Sequence, residues 1–250
     1  MENEELNLIS HSLFFFMALP FFYSEEIKTT TNQFVLNEET SKHVVQVLRM
    51  QNGEQLQLTD GKGNLYTAEI IDDNRKRCSV KTLSFTTRPA TDKKISIAVS
   101  LIKNSTRFEW LLEKATEIGV SEIIPLICSR TEKQHFRHDR MKSILISAML
   151  QSQQSWLPKM HEPIKFSTFV QQPFEGHKFI AHCEDDKPRN ELSAYQPFNA
   201  ATILIGPEGD FTIDEIGLAL NNNFKPVVLG ETRLRTETAA LVAATLLMMM

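Results

Sequence analysis

From Lys94 onward, short apolar segments of strand type alternate with segments of helical period, and this alternation restricts the possible folds more than any other feature of the chain. Residues 95–102 read as a buried strand. Residues 105–118 have helical period: Phe108, Leu111, Leu112, Ala115 and Ile118 share one face, and Gly119 closes the helix. Residues 122–128, 178–183, 202–205 and 226–229 read as further strands, and residues 139–154, 213–221 and 236–250 as further helices. Strands separated by helices of this length need crossover connections. They predict an α/β unit over residues 93–250, a mostly parallel sheet with helices on both faces.

The chain before this unit has a different texture. Residues 33–36, 54–59, 65–71 and 77–85 read as short strands, and 54–59 alternates Gln and Leu at period 2. Residues 38–48 read as one helix with an apolar stripe of Val44, Val45, Val47 and Leu48. Asp60-Gly61-Lys62-Gly63-Asn64 is a turn signal, and Arg88-Pro89-Ala90-Thr91-Asp92 reads as a linker. Residues 17–88 are thus expected to form a small β-rich unit. The apolar run from Leu13 to Phe22 follows acidic residues and falls short of the roughly 20 residues of a membrane helix, so no membrane partner is expected. Residues 1–16 are read as an N-terminal extension whose deletion leaves stability and activity intact.

With 250 residues, 42% of them hydrophobic, the composition is that of a globular chain and excludes a disordered one. The formal net charge of −4 does not favour nucleic acid, so any such contact must use a local cluster. Arg130, Lys133, Arg137, Arg140 and Lys142 offer one, with His135 and His138 among them. Cys78, Cys128 and Cys183 make no zinc spacing, and no metal is expected. A reducing, cytoplasmic setting is the simple reading.

Two loops carry the chemistry. Gly206-Pro207-Glu208-Gly209 follows one strand, and Leu229-Gly230 ends another. Ligands of open α/β sheets bind at the carboxyl ends of strands. Residues 231–235 form a charged loop before Thr236-Glu237-Thr238, which opens a helix that is apolar except for Thr245. Each tract alone is also compatible with an ordinary turn.

Taken together and in order, these tracts resemble one family. His43…Val47-Leu48-Arg49, Lys103…Arg107…Glu109…Lys114-Ala115-Thr116-Glu117-Ile118-Gly119-Val120, Gln151-Ser152…Pro158, Gly206-Pro207-Glu208-Gly209 and Leu229-Gly230…Leu234-Arg235-Thr236-Glu237-Thr238-Ala239 are similar to the blocks of SPOUT RNA methyltransferases. Within these, the chain resembles the enzymes that methylate uridine N3 in small-subunit ribosomal RNA. Three places depart from the pattern: Asp210 stands where a second glycine is usual, Gln154 where Arg is frequent, and Thr232-Arg233 where Arg-Ile is frequent.

The resemblance implies a PUA-like β-barrel for RNA docking, a trefoil-knotted SPOUT-like α/β domain and a homodimer. The knot comes from the resemblance alone, since knots are nearly absent from proteins. It also implies S-adenosyl-L-methionine (SAM) as cofactor. SAM's contacts would be Ala181, His182, Cys183, Ile205, Gly206, Pro207, Gly209, Leu229 and Gly230, closed by Leu234 and Thr238. Arg235 is expected to favour the uridine anion, with Glu208 and Glu237 as candidate proton acceptors. Arg49, Lys103, Arg107, Arg130, Lys133, Arg137 and Arg140 are the candidate RNA contacts. Two alternatives share the pattern: a SPOUT ribose 2′-O-methyltransferase, and an RNA-binding protein without catalysis.

Overall fold

The structure is a computed structural model, and it describes residues 19–30, 32–132, 135–184 and 189–250. The proposed extension over residues 1–16 lies outside the described residues.

The first unit contains β1 (Phe21–Tyr23), β2 (Gln33–Val35), α1 (Glu38–Lys42), β3 (Gln55–Thr59), β4 (Asn64–Asp72) and β5 (Ser79–Thr87). The strands form one sheet in the order β1-β3-β4-β5-β2. The Gln/Leu alternation of β3 works as period 2 requires: Leu56 and Leu58 are fully buried, beside Phe22, Tyr66, Ile70 and Val80. Residues 38–48 are not one helix. Asn37 caps α1 by accepting the Thr40 N–H at 2.8 Å, but the chain then widens into a π turn over His43–Val47. Three β-branched valines disfavour a tight helical turn there. The wider turn buries Val44 and Met50 and leaves Val47 and Leu48 exposed, so the expected four-residue stripe is broken.

The second unit runs through β6 (Lys94–Ser100), α2 (Ser105–Ile118), β7 (Glu122–Ile127), α3 (His138–Gln151), β8 (Lys159–Met160), β9 (Ile164–Lys165), α4 (Phe166–Val170), β10 (His177–Ala181), β11 (Asn190–Glu191), β12 (Ala200–Ile205), α5 (Ile213–Asn221), β13 (Lys225–Val228) and α6 (Thr236–Met249). Its sheet has the order β11-β13-β10-β12-β6-β7-β8, with β9 also on β7, and its strand pairs are parallel. One core joins residues of β6, β12, α2, α3 and α6; a second joins residues of α4 and α5 with Ala98, Ile124, Ile180 and Leu204. Helices therefore cover both faces, as the alternation predicts. The sequence reading misses the short β1, β8, β9, β11 and α4, which are two to five residues long and carry no period.

The ends of α2 show why it starts and stops where it does. Asn104 Oδ1 accepts the Thr106 N–H at 2.9 Å, and Gly119 takes the left-handed conformation at φ +93 that ends a helix. Gln154 Nε2 donates to the carbonyls of Thr116 and Glu117, so this departure from the family pattern serves as a helix cap. At the end of α6, Lys93 Nζ donates to the carbonyls of Leu247 and Met248. Ala240, Ala243, Ala244 and Leu247 of α6 are buried within the chain, whereas Met249 is 81% exposed.

The two units meet at the Asp60–Asn64 turn, a role its turn chemistry does not announce. Asp60 Oδ1 accepts the Lys62 N–H at 2.8 Å and holds the turn. The Gly63 N–H then donates to Ser155 O at 2.8 Å and the Leu157 N–H to Gly61 O at 2.9 Å. Trp156 Nε1 donates to Arg88 O at 3.1 Å, closing the junction. Nearby, burial and then the Glu25 and Asp60 carboxylates push the Tyr23 phenol up to about 12, so it stays neutral.

Candidate active site

The carboxyl ends of β10, β12 and β13 surround a cavity of about 450 Å³, within the range of small-ligand sites. The strand order explains its place. β12 and β13 are not neighbours; each pairs with β10, which lies between them. The chain passes from β12 through α5 to β13 and so skips over β10. The three loops that follow these strands converge on one spot, the position where open α/β sheets hold ligands.

Ala181, His182, Cys183, Ile205, Gly206, Pro207, Leu229, Gly230 and Leu234 line the cavity, together with Glu208 and Arg235. Gly230 has φ +146, and a Cβ there would meet no protein atom within 4 Å, so the space beside it is open. At Gly206 a Cβ would come within 3.1 Å of Phe211 N and 3.3 Å of Asp210 Oδ1, so the turn packs tightly against the glycine. Thr236 Oγ1 donates to Gly206 O at 3.0 Å and fixes the start of α6 under the same loop.

Three expected site residues fall outside the cavity lining. Residues three apart share a helix face, so Thr236 and Ala239 face the cavity and the intervening Glu237 and Thr238 do not. Glu237 is buried, with Oε1 3.6 Å from Arg107 Nε, and Arg107 itself lines the cavity. Gly209 faces the loop after β7 instead: its carbonyl accepts a bond from Arg130 Nη1. Glu208 does line the cavity, and its Oε1 accepts the Lys103 N–H at 3.0 Å.

The lining also contains Arg189, Val227, Val228, Thr232, Arg233 and Asp210, none of which was expected as a site residue. Val227 and Val228 end β13, so strand-end position was a usable signal for them. Asp210 is a non-glycine residue in the left-handed region at φ +65. Its Oδ2 accepts the Cys183 N–H and its Oδ1 the Phe211 N–H, both at 2.7 Å.

Three of the basic side chains over residues 130–142 make contacts within the chain. Arg130 is spent on Gly209 O and Phe211 O, Arg140 on Glu109, and Lys142 on Glu25. Lys103 Nζ pairs with Glu132 at 2.6 Å. Arg107 turns out to line the cavity. Arg49 and Arg137 are exposed, Arg49 in the left-handed region at φ +58, and Lys133 lies outside the described residues.

The Arg140 guanidinium grips Glu109 with two bonds and holds its carboxyl below the usual value of 4.5. A depressed carboxylate stabilises the fold above its unfolded pKa, and that contribution disappears as pH falls through the folded pKa. Arg140→Ala is therefore expected to lower Tm at pH 7. The difference from the unaltered protein should close as pH drops below 4.5, which thermal melts across pH would show.

The chain is similar to known proteins in both sequence and fold. The RNA methyltransferase PUA domain family matches residues 36–83, and the RNA methyltransferase domain family matches residues 89–248. The chain is 31% identical over 208 residues to ribosomal RNA small subunit methyltransferase E of Synechocystis, covering 80% of this chain and 68% of that one. A probable rRNA-methyltransferase of Porphyromonas gingivalis superposes with a TM-score of 0.83 at 38% identity, covering 90% of this chain and 95% of that one. The ribosomal RNA small subunit methyltransferase E of Neisseria gonorrhoeae, bound to S-adenosyl methionine, superposes with a TM-score of 0.80 at 30% identity, covering 90% and 95%. The unit that builds the cavity is the unit the domain family matches, and the chain belongs to the RNA methyltransferase family.

Proposed function

We propose that the protein is a SAM-dependent methyltransferase acting on N3 of a uridine in small-subunit ribosomal RNA. The observation that carries this reading is the cavity at the ends of β10, β12 and β13, with open space beside Gly230 and a cation, Arg235, on its wall. The cavity fits SAM in size and in lining. Ile205, Val227, Leu229, Leu234 and Ala239 offer an apolar bed for the adenine, and Gly230 allows close backbone approach.

SAM supplies an electrophilic methyl group, and the chain's residues orient it and handle charge. Uridine N3 carries a proton that must leave before or as the bond forms. Arg235 is exposed, precedes α6, and makes no side-chain cap bond. It stands ready to face a developing negative charge on the uracil oxygens. Glu208 is the proton acceptor that remains on the cavity wall. The N3 atom lies on the pairing edge of the base, so the first unit docks RNA whose target base is unpaired or flipped out. The units over residues 17–88 and 93–250 divide docking from chemistry in this way.

Two of the three departures from the family pattern have structural work: Gln154 caps α2 and Asp210 bonds two backbone amides. We further infer a homodimer through the outward apolar side of α6, where Met249 stands exposed. Among the described residues no helix is long and apolar enough to cross a membrane, and an RNA substrate of this kind fits a cytoplasmic enzyme. Calorimetric titration with SAM tests the cavity reading. Saturable binding at one site per chain is expected, and absence of binding removes the cofactor and the reaction with it.

A further inference from the structure

The loops after β10 and β12 both line the cavity, and the Asp210 side chain joins them. Asp210 Oδ2 accepts the Cys183 N–H across the gap at 2.7 Å, while its Oδ1 accepts the next N–H of its own loop, that of Phe211. The rest of its loop is anchored from other directions. Pro207 O accepts the Asp210 N–H, Arg130 donates to Gly209 O and Phe211 O, and Lys103 N donates to Glu208. None of those bonds reaches the loop after β10. The carboxylate also sits in a backbone conformation that glycine adopts freely and aspartate adopts at some cost, φ +65.

We propose that Asp210 is a positioning residue that latches these two loops together, so that the cofactor cavity is already formed before ligand arrives. This rests on the reading of the cavity as the SAM site. A residue that tolerates strain to make two bonds confers order on both loops. A loop that is ordered in advance raises the fraction of molecules competent to bind, and apparent affinity follows that fraction directly. Asp210 touches no reacting atom in this scheme. It sets the affinity for the cofactor and leaves the chemical step alone.

Asp210→Gly is a clean test, because glycine relieves the left-handed backbone and removes both bonds at once. Asp210→Asn keeps one acceptor oxygen and places an NH₂ against the remaining N–H, so it should fall between the two. In the ligand-free Gly variant, hydrogen exchange at the Cys183 amide is expected to quicken by about tenfold. The Kd and KM for SAM should rise by roughly tenfold, with kcat at saturation within about threefold of the starting enzyme. Unchanged exchange at Cys183 would overturn the proposal, and so would faster exchange with unchanged SAM affinity, or a fall in kcat alone. If the unaltered protein binds no SAM, the cavity reading fails on its own, while the exchange comparison still decides whether the latch exists.

Discussion

Arg235→Ala is expected to reduce kcat by about 100- to 1,000-fold, the usual cost of removing one group that stabilises a developing oxyanion. The Kd for SAM should stay close to that of the unaltered enzyme, because the cavity wall is otherwise built by Ile205, Gly206, Leu229 and Gly230. The Arg235 side chain is exposed, caps nothing, and leaves the α6 anchor to Thr236, whose Oγ1 bonds Gly206 O. Arg235→Lys should recover part of the rate, since charge returns without the planar fork. Single-turnover rates with calorimetric SAM affinities measure both parts. A loss confined to the KM for RNA would instead make Arg235 a phosphate contact.

The second large effect concerns stability. Gly63 sits at φ +89, and a Cβ there would lie 2.5 Å from the Trp156 ring and 2.7 Å from Arg88 O. Those atoms are the junction between the units, so the neighbours cannot shift without loosening it. Gly63→Ala combines a left-handed alanine with overpacking and is expected to cost about 3 kcal/mol. For a chain of this size that is a fall in Tm of roughly 6 to 12 °C, readable by calorimetry. Gly53→Ala is the control. Its φ is +88, but a Cβ there meets nothing within 4 Å, so strain alone applies and the loss should be clearly smaller.

The α/β unit was legible because its long elements have clear periods and ends. Ser105–Ile118 shows its apolar face and its closing Gly119 in sequence, and the structure puts both there. The short pieces were not legible, because two residues such as Lys159–Met160 become a strand only through the neighbour they pair with. The π turn at His43–Val47 was hidden for a related reason: valines at helical spacing look like a stripe until burial decides which of them faces inward.

The cavity loops were readable as motifs, but their convergence was not. It depends on β10 lying between β12 and β13, and strand order is not written in local pattern. The partners of the basic cluster were not readable either. Arg130, Arg140 and Lys142 lie close together in sequence, and each is bound by a carboxylate or carbonyl brought in from far along the chain. Asp210 looked like a defect in a glycine motif. In three dimensions it is a bond between loops.

The product of the reaction tests the central claim most directly. The purified protein would be incubated with methyl-labelled SAM and small ribosomal subunits, or their RNA, and the RNA digested to nucleosides for mass spectrometry. The account predicts label in 3-methyluridine, lost with Arg235→Ala. Label on a ribose 2′-oxygen, or no label in a protein that binds SAM, would contradict it.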